Sequence, residues 1–153
     1  MGSIEQLYRE RYVGFRNALA PIVGSREAAH DVVQEAFATA LRERRQLRRE
    51  ESLAPWVWQI AYRIAIRERR NTDTTELSDD LAVVDVARDP ALAAAIRTLP
   101  PKRRLVLFLR YFADLSYSEI ATVCEISEGT VAATLARART ELLRDLEHEE
   151  TLR

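Results

Sequence analysis

The stretch at residues 115–139, LSYSEIATVCEISEGTVAATLARAR, constrains the fold more than any other part of this chain. Ser116 and Glu119 stand at capping-box spacing, which predicts a helix starting near Tyr117. Ile120, Ala121 and Val123 or Cys124 give that helix an apolar face. Glu125, Ile126 and Ser127 then interrupt it. Ser127 is placed to N-cap a second helix whose apolar face is Val131, Leu135, Ala138 and Leu142. Two helices joined by so tight a turn make a helix-turn-helix, the unit that lays its second helix in the major groove of DNA.

The rest of the chain is also written in helical spacing. From Ser3 to about Pro21, apolar residues recur at Ile4, Leu7, Tyr8, Phe15, Leu19 and Ile22, and Ser3 with Gln6 fits a capping box. Gly24 and Ser25 break this helix, and Ser25 caps a second that runs to about Arg45. Its apolar face is Ala29, Val32, Val33, Phe37, Ala40 and Leu41. Pro55 suits the first turn of a third helix, striped by Trp56, Val57, Ile60, Ala61, Ile64 and Ala65. Weak periodicity and Thr-, Ser- and Asp-rich words from Asn71 to Pro90 read as a tether, with a short helical turn near residues 81–86. A helix over residues 91–98 follows. Pro101 starts another to about Phe112, carrying Leu105, Val106, Leu109 and Phe112, and the last helix extends to about Glu147. The fold class is all-α: a helical domain at residues 1–71, a flexible acidic linker at 72–96, and a helix-turn-helix domain at 97–153.

The net charge of −1 hides a segmented distribution. Residues 1–70 carry +4, residues 71–98 carry −4, and residues 99–153 carry −1. Such segmentation predicts modules with different partners. The small total predicts weak DNA affinity for the chain alone, because phosphate neutralisation supplies most non-specific binding. Arg42, Arg44, Arg45, Arg48 and Arg49 form a basic run that exceeds what a helix end requires, so phosphate or protein contact competes with simple solvation there. The lone Cys124 excludes an intramolecular disulfide and a Cys-rich metal site, and its place on an apolar face suits a buried small hydrophobe. No apolar run approaches the ~20 residues that span a bilayer, and the first residues lack a secretory pattern. The expected compartment is the cytoplasm. His30 and His148 are isolated, and neither a Gly-rich phosphate loop nor paired catalytic carboxylates occur. No metal, cofactor or enzymatic activity is expected.

Several separated words match one family in order and spacing. Leu99-Pro100-Pro101-Lys102-Arg103-Arg104, then LSYSEIA and ISEGTVAATLARAR, resemble the promoter-binding C-terminal domain of extracytoplasmic-function (ECF) sigma factors, group IV of the sigma-70 family. Residues 26–37, REAAHDVVQEAF, and 55–62, PWVWQIAY, resemble the ECF domain that binds core RNA polymerase and opens the −10 element. The resemblance implies a sigma region 2-like domain, a tether with no middle domain, and a sigma region 4-like domain. It also implies three partners: core RNA polymerase, promoter DNA and an anti-sigma factor.

Asp31, Gln34 and Glu35 share one helix face by spacing, which on chemistry alone is a solvated face. The resemblance makes them the core-polymerase-binding residues, where acidic groups suit a basic partner. Trp56 and Trp58 point about 200° apart on a helix. Trp56 follows the apolar stripe and is expected in the core, whereas packing explains Trp58 less. Base stacking on aromatic faces and backbone contacts from Arg capture single strands. Trp58, Tyr62, Arg63, Arg67 and Arg70 are therefore the −10 strand-capture candidates, beside the loop at residues 50–53. The family usually carries Asn at position 63 and Asp at 67, so this chain adds positive charge there and the family's base preference does not carry over to it. The acidic linker, by the same resemblance, threads toward the polymerase cleft and mimics RNA.

For the −35 element the candidates are Ser127, Glu128, Gly129, Thr130, Ala133, Arg137 and Arg139. Ala132 and Thr134 stand where relatives often carry Lys or Arg, and Ala136 where they carry a larger residue. Readout dominated by shape and phosphates is expected. Glu125 occupies a turn position where Gly is frequent, so an altered turn is expected. A conventional dimeric helix-turn-helix regulator is the other reading of the C-terminal domain. The polymerase-docking word and the tether argue against it. A helical enzyme or scaffold sharing only the fold is a further alternative.

Overall fold

The structure, a computed structural model, describes residues 3–48, 52–71 and 90–151. Seven α-helices occupy these residues: α1 Ile4–Val23, α2 Arg26–Arg42, α3 Leu53–Asn71, α4 Pro90–Thr98, α5 Pro101–Tyr111, α6 Tyr117–Cys124 and α7 Glu128–Thr151. The described residues contain no strand. The helices divide between two units: α1–α3 together with residues 122–125 in the first, and α4, α5, the start of α6 and α7 in the second.

In the first unit each of the three helices packs on the other two. Local chemistry sets where they begin. The Ser3 hydroxyl accepts from the Gln6 amide at 3.1 Å and the Ser25 hydroxyl from the Ala28 amide at 3.0 Å, each satisfying an orphan donor of a first turn. Between them Gly24 closes α1 at φ 97°, a left-handed conformation open to a residue without Cβ. The apolar stripes meet in a core of Phe15, Leu19, Val32, Val33 and Val57, all fully buried. Each contributes about 1.5–3 kcal/mol by leaving water. α2 ends at Arg42 rather than near Arg45, and Arg44–Gln46 form a short 3-10 turn.

In the second unit α4 and α5 both pack on α7. Leu105, Leu109, Ile120, Val131 and Leu135 are fully buried. α4 begins at Pro90, so the end of the stretch expected as linker is helix and carries buried Ala95 and Ile96. The turn expected near residues 81–86, and with it residues 72–89 of the expected linker, lie outside the described residues. Arg104 is buried in this unit and donates to the carbonyls of Arg97 at 2.6 Å and Leu99 at 3.3 Å. It thereby satisfies acceptors left open at the end of α4. Burial, with nearby Arg97, lowers its pKa from the usual arginine value. Arg103 pairs with Glu141 and adds a second tie from α5 to α7.

Candidate functional site

The α2 face holds Asp31, Gln34 and Glu35, all exposed, on a helix whose opposite face, Ala29, Val32, Val33 and Ala36, is buried. Two of the three are held from neighbouring helices. Gln34 donates from Nε2 to the Tyr8 hydroxyl on α1. Arg67 on α3 donates from Nη2 to Oε1 of Glu35 at 2.7 Å. One turn earlier on α2, His30 Nδ1 and the Tyr12 hydroxyl share a hydrogen bond. The face is a row of polar groups whose flanks are fixed before any partner arrives.

On α3 the two tryptophans trade the places expected of them. Trp58 is only 3% exposed, and its ring lies on Phe15 with centroids 3.7 Å apart and planes 10° apart. Trp56 is half-buried. Tyr62 is also buried, at 7% exposure, and burial pushes its phenol above the usual tyrosine range. The expectation that packing explains Trp58 less than Trp56 is thus corrected, because α1 covers the flank of α3 that carries Trp58. The outward positions of α3 are instead Gln59, Arg63 and Arg67, with both arginines exposed. The side chain of Arg70 lies outside the described residues.

The helix-turn-helix is capped at both starts. Ser116 and Glu119 form a reciprocal box: the Glu119 amide donates to the Ser116 hydroxyl at 3.1 Å, and the Ser116 amide to the Glu119 carboxylate at 2.9 Å. The Thr130 amide donates to the Ser127 hydroxyl at 3.0 Å, which starts α7. Glu125 in the turn adopts φ 58°. The turn keeps the left-handed geometry that glycine would favour, and a residue with a Cβ bears its cost of ~1–2 kcal/mol. Gly129 has no close neighbour beyond the Ser127 hydroxyl, so its surroundings are open.

On α7, Val131, Leu135 and Ala138 face the core, while Glu128, Gly129, Thr130, Ala133, Ala136 and Arg137 are exposed. At 100° per residue Gly129, Ala133, Ala136 and Thr140 fall opposite the buried stripe, with Thr130 and Arg137 on one flank and Arg139 on the other. The Arg139 guanidinium turns back to α5, donating to the Tyr111 hydroxyl from Nε at 2.9 Å and Nη2 at 2.5 Å. Hydrogen bonds with Tyr111 and then Tyr117 raise its pKa above the usual arginine value. Nothing in the pattern of residues 101–112 signalled Tyr111 as a partner for Arg139. Tyr8, by contrast, stood in the apolar series of α1 and hid its hydroxyl's role. Among the described residues no three His, Cys, Asp or Glu gather to hold a metal ion. No helix among them is long and apolar enough to cross a membrane.

Known proteins share this arrangement. Residues 7–75 match the family Sigma-70 region 2, and residues 90–142 match Sigma-70, region 4. The chain is 30% identical to RNA polymerase sigma factor YlaC of Bacillus subtilis, over 94% of this chain and 92% of that one. It is 31% identical to the RNA polymerase sigma-H factor of Pseudomonas aeruginosa, over 86% of this chain and 78% of that one. Among solved structures, the sigma factor RpoE in complex with the anti-sigma factor NepR from Bartonella quintana shares the fold. Its TM-score is 0.70 at 16% identity, covering 94% of this chain and 96% of that one. Two sigma-70 regions in the right order, carried by the two helical units, and a relative matched along almost its whole length lead to one assignment: the chain belongs to the ECF sigma factors of bacterial RNA polymerase.

Proposed function

We propose that the chain divides initiation between its two units, with the α2 face as the polymerase dock and α7 as the promoter reader. The observation that carries this is the exposed row Asp31, Gln34 and Glu35, backed by a fully buried face. Exposed carboxylates at Asp31 and Glu35 orient a basic partner and speed its capture. Arg63, Arg67 and Arg70 on α3 serve the −10 strand. Trp58 and Tyr62 act there as the floor that holds the helix, and Trp56 is the half-buried aromatic nearest the outside.

At the −35 element Thr130, Ala133 and Arg137 face the groove, with Ser127, Glu128 and Gly129 at the helix start. Ala133 and Ala136 offer apolar contact only, such as to a thymine methyl. The −35 readout therefore rests on phosphates and DNA shape. Arg139, held by Tyr111, positions α7 on α5 and reaches phosphates secondarily. The chain contributes recognition and strand opening, and bond formation belongs to the polymerase, in the cytoplasm where that enzyme works. An anti-sigma protein is the expected regulator, since the fold neighbour RpoE is in complex with the anti-sigma factor NepR.

Binding of core polymerase to charge-reversed chains tests the dock. Asp31→Lys with Glu35→Lys is expected to weaken binding at least tenfold while the thermal melt stays near the wild type. Undiminished binding places the dock elsewhere.

A further inference from the structure

Glu35 and Arg67 carry two different jobs in the reading above, and the inference here rests on that reading. Glu35 belongs to the dock on α2, and Arg67 to the −10 face of α3. Yet in the unbound chain they neutralise each other across 2.7 Å. The pair is reachable: the Arg67 side chain is 56% exposed and that of Glu35 47%. Exposed pairs of this kind hold each other weakly and exchange for better partners. Their backbones do not need to move for this. α2 and α3 pack on each other, and Val33 and Ala36 on the one and Ala61 and Ile64 on the other are buried, so only two side chains switch. Gln34, the neighbour of Glu35, is held from the opposite side by Tyr8.

We propose that docking on polymerase draws Glu35 out of its pair with Arg67 and hands the freed guanidinium to the −10 strand. The pair is then a coupling element between holding the enzyme and gripping DNA. It damps DNA binding by the unbound chain, because Arg67 offers its charge to phosphate only once Glu35 has another partner. Coupling of this kind is reciprocal. Whatever frees Glu35 favours polymerase, and whatever frees Arg67 favours DNA. A purely structural salt bridge gives the opposite sign, since removing Arg67 then disorders Glu35 and weakens docking.

Titration of core polymerase with the full chain reads that sign. Arg67→Gln is expected to bind roughly two- to fivefold tighter, the range of an exposed pair's strength. In the Glu35→Gln background the gain disappears. Arg26→Gln, the same charge change at the start of α2, leaves affinity unaltered. A short single-stranded DNA oligonucleotide at low salt gives the second arm: Glu35→Gln binds it two- to fivefold tighter than the wild type, and adding Arg67→Gln abolishes the gain. Thermal melts of each variant report that the fold is kept. Weaker or equal polymerase binding by Arg67→Gln, or equal DNA binding by Glu35→Gln, overturns the coupling. If Glu35→Gln itself leaves polymerase binding intact, the docking role of Glu35 fails and the coupling falls with it. A weakened Glu35→Gln beside an unimproved Arg67→Gln defeats the coupling alone.

Discussion

The indole of Trp58 on α3 lies flat on the ring of Phe15 on α1, 3.7 Å between centroids, and both residues are buried. The stack joins two helices that the chain separates by about forty positions, and it places Trp58 in the load of the first unit.

Trp58→Ala is accordingly expected to destabilise that unit by about 3–5 kcal/mol, the cost of removing a buried aromatic and leaving a cavity. Polymerase binding and promoter opening then fall together. Trp56→Ala, at a half-buried position, costs less and leaves binding to polymerase. Thermal melts beside core-binding titrations check both. A Trp58→Ala chain that melts like the wild type would contradict the stack.

The turn of the helix-turn-helix stores strain at Glu125, φ 58°. Comparing Glu125→Gly with Glu125→Ala isolates it, since both lose the same carboxylate. The glycine variant is expected to be more stable by about 1 kcal/mol, the left-handed penalty less glycine's extra chain entropy. Equal melting temperatures would show that the turn relaxes around either residue.

Ser127 starts α7 by accepting from the Thr130 amide, and its hydroxyl also shares a hydrogen bond with the Thr130 hydroxyl. Ser127→Ala is expected to cost about 1 kcal/mol of second-unit stability and to fray the helix end that meets DNA. Ser127→Asp restores the cap and the stability. Chemical denaturation of the three chains orders them.

Arg137 and Arg139 sit two residues apart, yet only Arg139 is tied to Tyr111. Arg137→Ala is expected to lower the slope of log affinity against log salt for a −35 duplex by about 1, the signature of one lost phosphate contact. Tyr111→Phe removes the hydroxyl that Arg139 grips. It is expected to lower stability while changing that slope less. Salt titrations by fluorescence anisotropy separate the two arginines.

Much of this was legible in the residues. Ser3, Ser25, Ser116 and Ser127 each announced a helix start, because an N-cap hydroxyl is a local device that needs no tertiary partner. The apolar stripes gave the helices and both cores. The misread residues depend on what a distant helix covers. Val57 and Ala61 show which face of α3 is inside, but only Phe15 on α1 decides that the Trp58 flank is covered and the Trp56 flank less so. Arg104, in the basic word Lys102-Arg103-Arg104, is buried because the carbonyls of α4 receive it. The Glu35–Arg67 and Tyr111–Arg139 contacts join positions 32 and 28 apart in the chain, beyond any local pattern. Glu125 was expected to alter the turn. It instead takes the left-handed conformation itself.

Transcript start mapping with purified core polymerase, with and without the chain, over genomic DNA fragments, tests the central claim most directly. The account predicts new starts that require the chain and lie downstream of a shared pair of −35 and −10 elements. Starts identical to those of core polymerase alone, under conditions where a known sigma factor directs initiation, would contradict it.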